Sequence, residues 1–237
     1  LRLGVSAGFT YSYDPTAPAG ERITGMWLDG VPVEAGQSYA VTVNSFLAAG
    51  GDNFGSFTRG SNVQETGVTD LQAMVDHLAE VGGEGIAPDF GQRAIGVALD
   101  KDEYEPGDTA NVALSSLIMT GVGDLVDSEV TLSVAGGESV TVPVDATVGD
   151  EIADEAGTAD AELVVPADAR PGSSVRVTVT GETTGTEASF LLPVAGSAEK
   201  VAAKVRTQVK PKTVKAKKTV AKVKVTVTDE GVTPTGQ

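Results

Sequence analysis

Asn44-Ser45-Phe46-Leu47-Ala48-Ala49-Gly50-Gly51-Asp52-Asn53-Phe54 continues directly from residues 38–44 (SYAVTVN), in which apolar and small polar residues alternate. Alternation over seven residues predicts a strand with one buried face. That strand runs straight into a turn of small residues. Paired glycines permit left-handed backbone and let another molecule approach the main chain closely. An aromatic at a strand end, here Phe46, can stack on a flat ring. A carboxylate six residues later, Asp52, can accept hydrogen bonds from a vicinal diol. The stretch therefore reads as a ligand loop. The plainer reading makes Phe46 a core residue and Asp52 an ordinary turn residue.

Working outward, residues 8–13 (GFTYSY) and 22–28 read as strands, with Tyr13-Asp14-Pro15 closing the first. Residues 70–81 form the one convincing helix. Thr69 or Asp70 can cap it, Leu71, Met74, Val75 and Leu78 fall at i, i+3, i+4 and i+7, and Gly82-Gly83 ends it. Residues 1–99 are thus expected to form an α+β domain. Residues 100–196 show no good helix. Residues 110–114, 129–134, 139–144, 161–165, 174–180 and 188–193 are short alternating runs separated by turn sequences such as Glu105-Pro106-Gly107-Asp108 and Ala169-Arg170-Pro171-Gly172. That spacing predicts an all-β immunoglobulin-like sandwich. Residues 197–237 hold two more strand-like runs, 201–209 and 220–227, joined by a Lys-rich link over 210–218 and followed by Thr233-Pro234-Thr235-Gly236. This is too short to close a sandwich and is expected to be the truncated start of a further immunoglobulin-like repeat.

Charge follows the same division. Residues 1–99 carry a net −7, residues 100–196 a net −16 and residues 197–237 a net +7, giving −16 over the 237 residues. Such shifts mark module boundaries. The acidic balance repels nucleic-acid backbones at long range. No cysteine is present, which excludes disulfides, zinc–thiolate sites and thiol nucleophiles. No apolar run approaches the ~20 residues that span a bilayer, and no basic n-region with an apolar h-region opens the chain. Leu1 falls inside what reads as a strand, so the sequence is expected to be an internal piece of a longer precursor.

Several features favour structural readings. His77, the sole histidine, sits on the helix between Met74 and Leu78 with no partner for a metal. A Ser/His/Asp triad would have to use it, and no G-x-S-x-G elbow, Walker motif or dinucleotide glycine motif occurs. The acidic run over 145–160 lacks the spacing of a Ca²⁺ loop and reads as a solvated segment. Lys210, Lys212, Lys215, Lys217 and Lys218 have no interleaved aromatics, so a charged linker or a gatekept edge strand is expected rather than a single-strand binding platform. Leu192-Pro193-Val194-Ala195-Gly196 lacks the threonine of a sortase signal and reads as a strand end.

Asn44-x-Phe46-x-x-x-Gly50-Gly51-Asp52-x-Phe54 resembles the N-x-F-x-x-x-G-G-D-x-[FY] signature of the 5′-nucleotidase C-terminal domain. Val5-Ser6-Ala7-Gly8-Phe9-Thr10-Tyr11-Ser12-Tyr13-Asp14 and Gly20-Glu21-Arg22-Ile23 are similar to the segments that precede it in that family. The helix and residues 88–99 are similar to those that follow, so the resemblance extends over residues 1–99. It implies the substrate-binding domain of a secreted bacterial enzyme that hydrolyses nucleoside 5′-phosphates to nucleoside and phosphate. It further implies that Phe46 stacks on the nucleobase, that Asp52 holds the ribose hydroxyls, and that Asn44, Gly50 and Gly51 shape the loop. Phe54 matches a packing position. In the family, the second clamp aromatic and the phosphate-binding basic residues lie upstream of the segment present here. So does the N-terminal metallophosphatase domain, whose two divalent metal ions are held by His, Asp and Asn and activate water. No catalytic or metal-ligating residue is therefore expected in this chain. The family's two domains rotate relative to one another. The competing expectation is a cell-surface interaction or spacer protein whose immunoglobulin-like modules touch the cell wall, with no catalytic role.

Overall fold

A computed structural model describes residues 3–83, 85–149 and 155–196, together with the backbone of Lys204–Thr207 and Val225–Thr228. Two compact units are resolved, Leu1–Ala195 and Gly196–Gln237. In the second unit, β11 (Lys204–Thr207) pairs antiparallel with β12 (Val225–Thr228). These strands fall inside the expected runs over 201–209 and 220–227. The Lys-rich link over 210–218 and the segment over 233–236 lie outside the described residues.

The first unit is mostly β. Its strands are β1 (Phe9–Tyr13), β2 (Ile23–Leu28), β3 (Val31–Pro32), β4 (Ala94–Leu99), β5 (Thr109–Ser115), β6 (Glu129–Val134), β7 (Ser139–Pro143), β8 (Ala159–Val164), β9 (Ser174–Gly181) and β10 (Thr186–Pro193). One sheet has the order β3-β2-β1-β4-β5-β8 and the other β10-β9-β6-β7. All neighbours are antiparallel except β1 and β4, which run parallel with Tyr11 opposite Ala94 and Tyr13 opposite Gly96.

Alternation explains the core. In β5, Ala110, Val112 and Leu114 are buried while Thr109, Asn111 and Ala113 face out. β8 buries Ala159, Ala161 and Leu163, and β9 buries Val175, Val177 and Val179. These side chains join Leu132, Phe190 and Leu192 in one apolar cluster to which both sheets contribute. Fully burying a Val, Leu or Phe gains about 1.5–3 kcal/mol, and this cluster is what the two sheets share. Buried Asp127 is satisfied by the turn between β9 and β10, accepting from the Thr183 and Thr184 amides at 2.8 and 3.2 Å and from the Thr184 hydroxyl.

Across position 99/100, β4 pairs with β5 through Leu99 opposite Val112 and sends Ile95 and Val97 into the common core. One feature differs from the sequence expectation: the run 38–44 forms no strand. Its apolar positions stay out of the core, Val41 at 66% exposure, and no neighbouring strand takes up its amides and carbonyls among the described residues. Alternation supplies a face, but a strand also needs an edge to pair with. Tyr39 instead accepts the Glu34 amide at 3.0 Å through its hydroxyl.

Residues 33–93 cross over between β3 and β4. They hold a short helix α1 (Ser45–Ala48), 3₁₀ turns at Gly51–Asn53 and Phe57–Arg59, and helix α2 (Asp70–Val81). α2 has the expected bounds. Thr69 is its N-cap, accepting the Gln72 amide at 3.1 Å, and Gly82 ends it.

Three contacts tie β1–β3 and the end of the crossover to the rest of the unit. Arg176 on β9 donates from Nη1 to the Gly30 carbonyl at 2.8 Å and from Nε to Ser189 at 2.9 Å. Its guanidinium lies 5.6 Å from the centre of the buried Trp27 ring. Tyr13 meets Ser116 at 2.8 Å, and both lie beside Glu155, which also accepts from Ser115 at 2.7 Å. The Gln92 amide donates to Thr186 at 2.9 Å.

Candidate functional site: the loop from Asn44 to Phe54

The loop is built from backbone inward. Asn44 has extended dihedrals, φ −70° and ψ 161°, and its Oδ1 accepts the Leu47 amide at 2.9 Å. This is an N-cap, and it starts α1 at Ser45. The helix stops after one turn because Gly50 adopts φ +84°, a left-handed geometry that costs glycine little. The Gly50 amide reaches back to the Leu47 carbonyl at 2.9 Å. A Cβ at Gly50 would lie 3.0 Å from Cγ2 of Thr58, so space as well as dihedral calls for glycine there.

Asp52 and Asn53 follow in left-handed geometry, with φ +52° and +65°. Two such non-glycine residues in succession are uncommon, although Asp and Asn tolerate the region best. The Phe54 amide closes the turn on the Gly51 carbonyl at 3.1 Å, and the Phe54 and Phe57 rings sit 6.2 Å apart behind it.

Phe46 is not a core residue. The residue is 58% exposed, and one side of its ring lies on the Gly51 backbone: a Cβ built there would come within 2.5 Å of Cε1 and Cζ. Asp52 is exposed, and its carboxylate makes no hydrogen bond among the described residues. Each of the five residues singled out in the sequence thus has a definite place. Asn44 caps the helix, Phe46 rests on Gly51, Gly50 turns the chain, and Asp52 offers free acceptor oxygens.

The chemistry available here is recognition. An exposed ring face can stack, and a free carboxylate can accept two hydroxyl donors. Among the described residues no three His, Asp or Glu side chains converge as a metal-binding set, and His77 is exposed on α2.

Other polar clusters were not anticipated from sequence. Asp100 accepts from the side chain of Asn111 at 2.8 Å, from its amide at 2.9 Å and from the Tyr104 hydroxyl at 2.7 Å. The Asn111 side chain first, and then the Tyr104 hydroxyl, hold the Asp100 carboxyl down at about 2. Burial, and then the bond to Asp100, push Tyr104 up to about 12. Its backbone pairs with Pro193 and Ala195, so this is a structural knot. Asp145, in the acidic segment, lies below the usual carboxylate range because it accepts from Thr147. An open hollow of about 530 Å³ lies over β4, β5 and β8, rimmed by Asp100, Asn111, Asp160 and Glu162, and contains none of the loop residues.

No curated protein and no solved structure matches the chain. Residues 2–59 match the family model described as the 5′-nucleotidase, C-terminal domain, and Asn44, Phe46, Gly50, Gly51 and Asp52 all lie within that match.

Proposed function

We propose that the loop from Asn44 to Phe54 is the nucleoside-recognition element of a secreted 5′-nucleotidase. Phe46 stacks on the base through its open face, Asp52 accepts from the two ribose hydroxyls, and Asn44, Gly50 and Gly51 hold both in place. The observation that carries this reading is Phe46 itself: an aromatic ring braced on a glycine backbone and left exposed, inside the matched segment. A core phenylalanine would be buried. The substrates are nucleoside 5′-phosphates. Hydrolysis to nucleoside and phosphate belongs to a separate N-terminal metallophosphatase domain holding two divalent ions. The acidic surface charge suits an extracellular or wall-associated protein.

A second reading concerns the other strands. β4-β5-β8 facing β10-β9-β6-β7 gives seven strands that change sheets in the manner of an immunoglobulin-like sandwich. This order supports a spacer or cell-wall contact role for that part, alongside the recognition loop.

The deciding experiment is nucleotidase kinetics on the protein expressed from its whole gene, with Phe46→Ala beside wild type. The expected result is metal-dependent release of phosphate from nucleoside 5′-phosphates and a raised KM in the variant. Absence of that activity, or an unchanged KM, overturns the assignment.

A further inference from the structure

Two apolar faces of the first unit lie open. On β1 and β2, Ser12 and Trp27 point to the buried side. The intervening residues Phe9, Tyr11, Met26 and Leu28 therefore share the outer side, Phe9 opposite Leu28 and Tyr11 opposite Met26. The Phe9 and Tyr11 rings are 6.2 Å apart, and Met26 and Leu28 are about 40% exposed. The other open face is on α2, where Leu71, Met74, Val75 and Leu78 form one stripe, 47–71% exposed.

Topology says which surface covers which. β1 and β4 are parallel neighbours, and the chain between them contains α2. Parallel neighbours need a crossover, which is usually a helix that packs back on the sheet and covers its face. The inner side of β1 and β2 is already covered by β10, so the outer side is the vacant one. Twelve residues separate Val81 from Ala94, a tether that can reach roughly 40 Å when extended. A tether of that length gives the helix on the same chain an effective concentration near millimolar, which disfavours a second copy as occupant. Finally, α2 has 12 residues, and isolated helices below about 12–15 residues are marginal in water. Its stripe needs a surface to be stable.

We propose that α2 acts as a strap that closes over the outer face of β1 and β2, seating Leu71, Met74, Val75 and Leu78 on Phe9, Tyr11, Met26 and Leu28. The inference stands apart from the nucleoside reading, and no ligand enters its test.

Hydrogen exchange of the chain without ligand tests it directly. The α2 amides are expected to be protected at least about tenfold over an unstructured peptide, equally at high and low protein concentration. Met26→Asp, on the sheet, is expected to remove that protection while β5, β6 and β9 keep theirs. Leu78→Ala provides the second variant. Alanine is the better helix former, so an unpartnered helix would keep or gain protection, whereas a docked one loses it. Three results overturn the proposal: unprotected α2 amides in the wild type, protection that vanishes on dilution, and protection that survives both substitutions.

Discussion

The ring of Phe46 lies against the main chain of Gly51, so closely that a methyl group on Gly51 would overlap Cε1 and Cζ at 2.5 Å. Glycine thus makes room for a side chain five residues away, and the two form one structure: an aromatic plate on a backbone shelf. Gly51→Ala should displace the ring with little effect on stability, because the ring is exposed and free to swing aside. Nucleoside affinity should fall by about 1–3 kcal/mol, the usual worth of a base stacked on an aromatic. Calorimetric titration together with thermal unfolding separates the two effects.

Asp52 holds left-handed dihedrals that asparagine tolerates equally well. Asp52→Asn should therefore keep the loop shape and remove only the charge. The expected loss is about 1.5–3 kcal/mol in nucleoside binding, the range for hydrogen bonds to a charged group. Binding of the free base, which has no diol, should be unchanged. A parallel titration with nucleoside and free base reads this difference.

Arg176 bonds Gly30 and Ser189 and lies over Trp27. Lysine cannot reproduce the forked donor geometry. Arg176→Lys should lower stability by about 1–3 kcal/mol, measured by chemical denaturation, and leave the fold of β5, β6 and β9 intact. Trp27 adds a second expectation. Its Nε1 is buried with no hydrogen-bond partner among the described residues, so Trp27→Phe should cost less than Trp27→Ala, for which about 3–5 kcal/mol is usual.

Asp100 makes stability depend on acid pH. Its folded pKa of about 2 lies below the unfolded value of about 3.9. The folded state therefore binds fewer protons, and the contribution is complete above pH ~4 and lost as pH falls through about 2. Tyr104 works at the other end. Its folded pKa of about 12 lies above the unfolded value of about 10, so its contribution is present below pH ~10 and lost as pH rises toward about 12. Asp100→Asn should flatten the acid limb of the unfolding midpoint against pH and lower the midpoint at neutral pH.

How much of this was legible in the sequence differs by element. β5, β6, β8 and β9 follow simple alternation because each buries one face in a common core. α2 was legible to the residue because Thr69 and Gly82 carry the stop signals in their own chemistry. The run 38–44 misled because alternation says nothing about whether a partner edge exists. The parallel pairing of β4 with β1 joins segments roughly eighty residues apart, and no local signal encodes a pairing at that distance. Within the loop, Gly50 and Asp52 announced a tight turn. That Phe46 would be exposed and braced by Gly51 depends on dihedrals no residue type dictates.

The most direct measurement is an NMR titration of the chain with adenosine 5′-monophosphate, following backbone amides. If the loop recognises nucleosides, the shifts should concentrate in residues 44–54, saturate, and disappear in Phe46→Ala. Saturating shifts located elsewhere, such as around Asp100 and Glu162, or shifts in residues 44–54 that persist in Phe46→Ala, would contradict the assignment of Phe46 and Asp52 as the nucleoside site.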